Sequence, residues 1–149
     1  MKIKIIEPTT SEEFEKYYNL RYEVLRKPWG QPLGSERDEK EETSIHRMIV
    51  DENSGDALAV GRLQLNSAHE AQIRYMAVAD EFQGKGLGSQ IISALEDVAR
   101  GKCVQRIILS ARENALQFYK NNGYNIMKKT HLLFGEIQHW LMGKELTTD

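Results

Sequence analysis

Residues 76–89 read MAVADEFQGKGLGS, an apolar segment, a short polar link and a glycine-rich loop. Gly84, Gly86 and Gly88 directly precede a stretch with apolar residues at helical spacing. Glycines let a backbone turn tightly, so that several N–H groups point toward one spot. At the start of a helix such a turn forms a pocket for a phosphate or pyrophosphate group. The segment therefore predicts a strand, an anion-binding loop and a helix, in that order.

Other interpretations of the glycine loop fit less well. A P-loop needs a lysine followed directly by serine or threonine, whereas Lys85 is followed by Gly86. A dinucleotide-binding loop needs a different glycine spacing and a parallel strand before it, and the preceding strands are predicted to be antiparallel. A flexible turn that binds no ligand stays open as the alternative.

The rest of the chain alternates between strand and helix patterns. Thr10 and Glu13 predict a capping box for a first helix, which ends at a loop of prolines and glycines over residues 28–34. Helical spacing predicts two more helices, one ending near Gly101 and one at residues 114–122. The acidic residues 36–42 are either a short helix or a loop. Strand patterns occupy residues 2–7, 45–51, 57–65, 71–78, 104–109, 124–129 and 137–144.

This element order predicts the fold class. An antiparallel run is followed by a strand-helix-strand crossover, which indicates a mixed sheet with helices on its faces. We expect an α/β (α+β) fold with a mostly antiparallel sheet of roughly six to seven strands and about four helices.

Composition bounds the function. The 149 residues fit one domain, 1–149, and the formal net charge of -2 favours neither nucleic acid nor a membrane surface as a partner. No segment approaches the roughly 20 apolar residues that span a bilayer. The chain has one cysteine, Cys103, so it cannot form an internal disulfide, and this indicates a reducing, cytoplasmic setting. We expect Cys103 to lie in the core. Metal-ligand spacing is absent, so no metal is expected.

A second motif completes the argument from sequence. Residues 114–124 read NALQFYKNNGY. Together with Gln83, Gly86 and Gly88, which match a Gln/Arg-x-x-Gly-x-Gly/Ala signature, this segment resembles the GNAT superfamily of N-acetyltransferases. Each motif alone is moderately specific, whereas both in this order and spacing are strongly so. The resemblance extends over nearly the whole chain, including the order of its elements.

The resemblance implies a binding site for acetyl-CoA. The pantetheine arm is expected in a splay between the strands at 71–78 and 104–109, bonded by backbone groups of Met76 and Val78 and approached by Asn114. The pyrophosphate is expected on backbone N–H groups of the loop. These loop residues are Gln83, Gly84, Lys85, Gly86, Leu87, Gly88 and Ser89.

The resemblance also implies a reaction. Tyr119 matches the usual general acid, which protonates the departing thiolate, although an aromatic packing role is the alternative. An acetyl group would move to a primary amine, on a small molecule or a peptide, by direct attack in a ternary complex. A non-catalytic acyl-CoA sensor or regulatory module is the second hypothesis. Relatives often form dimers, so monomer and homodimer both stay open.

The acceptor side departs from the family pattern. Many relatives place a glutamate base where this chain has Arg74, so another carboxylate, an imidazole, ordered water or a less basic amine must serve. Residues 137–142, IQHWLM, resemble the Ile-Pro-His-x-x-Met segment of one bacterial subgroup, with Gln138 at the proline position. This places His139 in the acceptor site or in a structural role.

Further acceptor residues are predicted from the helix-loop region that shapes this pocket in relatives. They are Arg26, Trp29 and Glu36, with a solvated helix face and a packed tryptophan as the alternative. His131 is expected to be structural, and Met127 is expected in the core.

Overall fold

The structure follows the predicted order of strands and helices. The computed structural model describes residues 1–146. Within them lie three α-helices, α1 Ser11–Leu25, α2 Leu87–Gly101 and α3 Leu116–Asn121. The strands are β1 Ile3–Ile6, β2 Ile45–Asp51, β3 Ala57–Leu65, β4 Glu70–Val78, β5 Arg106–Arg112, β6 Asn125–Leu133 and β7 Ile137–Glu145. Single 3-10 turns lie at Lys27–Trp29, Asp80–Phe82 and Glu113–Ala115.

The described strands form one mixed sheet, which confirms the predicted fold class. Their order is β1-β2-β3-β4-β5-β7-β6. Only the β4–β5 pair is parallel, and every other neighbouring pair is antiparallel. The helix α2 makes the crossover between β4 and β5, as the pattern of strand, glycine loop and helix predicts.

The acidic residues 36–42 form turns, so three α-helices are present in place of about four. Their carboxylates bind backbone N–H groups locally, since Asp38 N–H donates to Glu41 Oε2 at 3.0 Å and Lys40 N–H donates to Asp38 Oδ1 at 2.9 Å. Such side-chain bonds compete with helix formation. The same two carboxylates also bind the buried guanidinium of Arg62, which fixes the loop on the sheet.

Helices cover both faces of the sheet. The predicted capping box starts α1, because Glu13 N–H donates to Thr10 Oγ1 at 3.1 Å and Thr10 N–H donates to the Glu13 carboxylate at 3.1 Å. One apolar cluster contains the buried face of α2 and the other contains the tyrosines of α1. The sheet is therefore rigidly held in the middle, where the strands diverge.

The divergence of β4 from β5 confirms the predicted splay. Parallel pairing runs from Glu70 opposite Arg106 to Ile73 opposite Leu109 and then stops. Beyond that point β4 bulges: Gly61 of β3 faces two residues of β4, of which Tyr75 has a φ of +57°. A bulge bends its strand and increases the local twist. The ends of β4 and β5 are thereby separated by a cleft.

Two core predictions are wrong. Cys103 is exposed and has a φ of +60°, because it makes the turn after α2 and leaves the buried position to Val104. Met127 is 47% exposed, because it lies on the edge strand β6, none of whose residues is buried. Among residues 1–146, no helix combines the length and apolarity needed to cross a bilayer.

The contact between β3 and α2 gives a stability prediction. A Cβ at Gly61 would lie 2.5 Å from Ile91 Cγ2 and 2.7 Å from Met76 Sδ. Overpacking of a filled core costs typically 1–3 kcal/mol, so Gly61→Ala should lower the free energy of unfolding by about that amount in a urea titration. Gly101→Ala is the control, since a Cβ there meets nothing within 4 Å. Equal stability of both variants would contradict this packing.

Candidate functional site

The splay between β4 and β5 opens into a cleft of about 940 Å³. One end of the cleft is the glycine loop, and the other lies among β5, β7 and the end of α1. Nine of the residues predicted to bind the coenzyme line it, and Lys85 does not. The nine are Met76, Val78, Gln83, Gly84, Gly86, Leu87, Gly88, Ser89 and Asn114.

The glycine loop has the backbone shape that the sequence predicts. Gly84 and Gly86 have φ values of +76° and +82°, in the left-handed region that favours glycine. Gly86 is the N-cap of α2 and offers no side-chain cap, so the N–H groups of the first turn are left for a ligand. A Cβ at Gly88 would lie 2.9 Å from the ring of Phe118, which explains a glycine where α2 meets α3. The arrangement suits an anionic group of pyrophosphate size.

The free edge of β4 forms one wall of the cleft. Ala79 N–H donates across to Leu58 O of β3, so by strand alternation the N–H of Val78 points to the side that lacks a strand partner. The carbonyl of Val78 is occupied, because Gln83 Nε2 donates to it at 3.2 Å. A donor is therefore directed into the cleft beside Met76.

Tyr119 stands at the inner end of this cleft and is buried. Burial raises the pKa of its hydroxyl to about 12, and the positive charge of Arg112 opposes that rise. The ring packs against Phe118 and Tyr124 at centroid distances of 5.0 and 6.1 Å. The hydroxyl is thus protonated throughout the physiological pH range.

Arg112 and His139 face each other at the same end. They are cross-strand partners on β5 and β7, and both line the cleft. His139 Nδ1 donates to Ile137 O at 3.0 Å, which leaves Nε2 as the unprotonated nitrogen of the neutral ring. Burial lowers the pKa of His139, and the charges of His131, Arg112 and Arg26 add to that effect. The ring is therefore neutral at pH 7 and able to accept a proton.

The predicted acceptor residues divide into two groups. Arg26 and His139 line the cleft. Glu36 is buried in the loop after α1, where its carboxylate accepts Gly34 N–H at 2.8 Å and its carbonyl accepts from Arg21. Trp29 is half-buried and lies outside the cleft lining. The structure therefore brings only two of the four predicted residues together.

Three residues of the site were missed by the sequence reasoning. His131, expected to be structural, stacks on His139 with the ring centroids 4.6 Å apart. Arg112 follows the buried Ala111 on β5, so the two side chains point to opposite faces of the sheet. The sequence alone did not show which face of β5 is buried, and so did not show that Arg112 points toward the cleft. Tyr75 lies in the bulge, and a bulge has no signal in the strand pattern.

Comparisons with known proteins assign the family. A sequence model of the Acetyltransferase (GNAT) family matches residues 12–124. The chain belongs to the GNAT family of acetyltransferases. It is an acetyl-CoA-dependent acyltransferase, and acetyl-CoA is its co-substrate.

Individual relatives agree with this assignment. The uncharacterized N-acetyltransferase YjcF of Bacillus subtilis (strain 168) is 27% identical over 143 residues, which cover 96% of this chain and 100% of YjcF. The Escherichia coli ElaA structure has a TM-score of 0.80 at 16% identity and covers 97% of this chain and 99% of its own. The structure of a GNAT family acetyltransferase from Elizabethkingia anophelis with acetyl-CoA bound has a TM-score of 0.73 at 18% identity. The match covers 97% of this chain and 98% of the Elizabethkingia chain.

Within the described part of the chain, no group of three or more His, Cys, Asp or Glu side chains could hold a metal ion.

The loop geometry predicts the effect of a substitution at Gly86. Gly86→Val would place a branched side chain in the open space where the coenzyme phosphates are expected, so acetyl-CoA should no longer raise the melting temperature. Gly135→Val is the matched control, because Gly135 also has a positive φ with nothing within 4 Å and lies in the β6–β7 turn. Retained binding in a folded Gly86→Val protein would contradict the loop assignment.

Proposed function

We propose that the protein is an N-acetyltransferase that moves the acetyl group of acetyl-CoA directly to a primary amine within a ternary complex. One observation carries this proposal: a single cleft joins the glycine loop to Tyr119 and His139. The acceptor is an amine of a small molecule or a peptide. The exposed single cysteine and the bacterial relatives support a bacterial, cytoplasmic enzyme.

The coenzyme is proposed to extend along the whole cleft. The loop over residues 83–89 holds its pyrophosphate, and the pantetheine arm follows the free edge of β4 at Met76 and Val78, with Asn114 on the opposite wall. The N–H of Val78 can then donate to the thioester carbonyl. One good donor to a developing oxyanion contributes roughly 3–4 kcal/mol of transition-state stabilisation.

Tyr119 is the proposed proton donor to the leaving sulfur. The amine nitrogen attacks the thioester carbon, the C–S bond breaks, and the thiolate takes the tyrosine proton. Transfer from a hydroxyl of pKa about 12 to a thiolate whose acid has a pKa near 8.5 is uphill by about 5 kcal/mol. The proton therefore moves late, as the negative charge on sulfur develops, and without the positive charge of Arg112 the cost would be larger.

His139 is the proposed acceptor of the amine proton. Arg74 occupies the position of the glutamate base found in many relatives, and a guanidinium cannot serve as a base at pH 7. Nε2 of His139 is unprotonated and lies on the cleft between Arg112 and His131. This assignment selects the imidazole among the bases left open by the sequence.

A second function, an acyl-CoA sensor without turnover, is favoured by the arginine at position 74. It predicts coenzyme binding without thiol release for any amine. The burial of Tyr119 beside Arg112 and the free imidazole nitrogen of His139 favour the enzyme, because a sensor requires neither group.

Tyr119→Phe tests the general acid. The turnover number should fall about 100-fold or more, while the dissociation constant of acetyl-CoA stays within about threefold. Within residues 1–146 the Tyr119 hydroxyl makes no hydrogen bond, so its removal should not impair folding. Tyr124→Phe is the reciprocal control: its hydroxyl donates to Glu96 at 2.9 Å, and its loss should lower stability but preserve turnover. Unchanged turnover in Tyr119→Phe would exclude this residue as the acid.

His139→Asn tests the base, because asparagine can keep the hydrogen bond to Ile137 O while lacking Nε2. Turnover at saturating substrates should fall about 100-fold. In the native protein the turnover number should rise with pH and level off below pH 6.5, as His139 loses its proton, and this acid limb should vanish in the variant.

His131→Asn is the companion variant. It should keep most of the turnover and shift the acid limb to higher pH, because it removes the stacked ring and a positive neighbour of His139. Arg112 and Arg26, which also face His139, remain charged in this experiment. An acid limb that persists unchanged in His139→Asn would assign the base elsewhere.

A further inference from the structure

The acceptor end of the cleft carries charge of one sign. Arg26, Arg74 and Arg112 line it, together with His131 and His139. No aspartate or glutamate among residues 1–146 contributes to the lining. The chain as a whole has a net charge of -2, so this local positive charge does not reflect a generally basic surface. A cleft lined by one sign of charge concentrates ligands of the opposite sign.

Arg112 and Arg26, which are half-buried, have no ion pair among the described residues, whereas the fully buried arginines of the fold are paired. Arg21 Nη1 lies 2.9 Å from Glu41 Oε1, and Arg62 Nη1 lies 2.7 Å from Asp38 Oδ1. By contrast, neither Arg26 nor Arg112 makes an ion pair within residues 1–146, although backbone carbonyls hold Arg26 in place. Burial, followed by the charge of Arg26, lowers the pKa of Arg112. The two guanidiniums therefore repel each other in the absence of an anion.

The coenzyme phosphates cannot explain this charge. The anion-binding loop lies at the opposite end of the cleft, and Arg112 neighbours the groups that surround the reacting atoms. Its cross-strand partner is His139, and its charge acts on Tyr119. An anion on Arg112 and Arg26 would therefore belong to the molecule that receives the acetyl group.

We propose that the acceptor is an amine that also carries a carboxylate or phosphate group, and that Arg112 and Arg26 bind this group. This inference rests on the proposed acetyl transfer. Arginine forms paired hydrogen bonds with both kinds of anion, which fix the distance from the anion to the amine. Arg74 adds positive charge at the rim, where it also pairs with Asp38 at 3.2 Å. Polycationic amines are excluded by the same field.

The arginines also prepare the amine for attack. A positive surrounding disfavours the ammonium form, so it lowers the pKa of the bound amine. The released proton passes to the neutral imidazole of His139, and the second proton, which nitrogen loses after the attack, returns to the Tyr119 oxygen. A glutamate at position 74 would form an ion pair with these arginines, so it would be a weaker base than the neutral imidazole of His139.

Matched pairs of acceptors test the proposal. Release of coenzyme A is measured at saturating acetyl-CoA with amino acids and their carboxamides, with O-phosphoethanolamine and ethanolamine, and with spermidine. The anionic member of at least one pair should have a kcat/KM at least about tenfold higher. The two pairs distinguish carboxylate from phosphate. Equal rates within both pairs, or a preference for spermidine, would overturn the inference while leaving the proposed acetyl transfer intact.

Arg112→Gln identifies the residue responsible. It should lower kcat/KM for the preferred anionic acceptor at least about tenfold more than kcat/KM for its neutral partner, and leave the KM of acetyl-CoA unchanged. Arg106→Gln is the matched control, since Arg106 lies on the same strand about 20 Å away and pairs with Glu70. Equal losses for both acceptors, or a raised KM for acetyl-CoA, would overturn the assignment of Arg112 to the acceptor.

A binding measurement separates this inference from the proposed function. N-acetylated amino acids and their carboxamides, and N-acetylated O-phosphoethanolamine and ethanolamine, are titrated into the protein saturated with coenzyme A. The anionic member of at least one pair should bind at least about tenfold more tightly. If no amine is acetylated but this preference is found, the anion site is supported and the proposed transfer is overturned. If neutral amines are acetylated and no preference is found, the transfer stands and the anion site is overturned.

Discussion

The bulge of β4 at Tyr75 is the constraint on which the site depends. The Tyr75 ring lies against the guanidiniums of Arg21 and Arg62, whose Cζ atoms are 4.3 and 4.8 Å from the ring centroid. Both arginines are fully buried. Buried charges of this kind require close partners, which Glu41 and Asp38 of the acidic loop supply. The pairing therefore holds the loop, the first helix and the bulged strand in one arrangement. Because the bulge turns β4 away from β5, the cleft is a consequence of the backbone path of β4.

The arginines of this region have two distinct roles. The buried arginines, Arg21 and Arg62, are neutralised by carboxylates of the acidic loop. The hydrogen bonds from Arg62 lower the pKa of Asp38 far below its usual range. Those on the cleft, Arg26 and Arg112, lack such partners within the described residues. The contrast follows from position: a buried guanidinium without a carboxylate would destabilise the fold, whereas a cleft guanidinium can be neutralised by a ligand. Among the arginines of residues 1–146, the two without an ion pair are thus the ones that a substrate can reach.

The cleft contains nearly all of the residues that the sequence predicts for the coenzyme, and half of those that it predicts for the acceptor. Glycine spacing, the strand before it and Tyr119 are all features of local sequence, and the structure brings them together in the cleft. Arg112 and His131 could not be assigned in this way, because their meeting with His139 depends on the register of β5, β7 and β6. Glu36 was predicted in the acceptor site and lies in the expected loop, but it does not line the cleft. Its carboxylate turns inward and accepts hydrogen bonds from Gly34 and Arg37. Cys103 and Met127 were misplaced because apolar character alone does not distinguish a core strand from a turn or a sheet edge.

The exchange of glutamate for arginine at position 74 is consistent with the remaining charges of the cleft. A carboxylate there would lie among cations that hold its pKa low, and a weakly basic carboxylate is a poor acceptor for an amine proton. A neutral imidazole behaves differently, because the same cations disfavour its protonated form and keep its Nε2 free at pH 7. The positive charge also favours the uncharged amine over the ammonium ion. In the proposed mechanism the base, the charge of the cleft and the class of acceptor are therefore linked, so that changing one of them alone would impair the transfer.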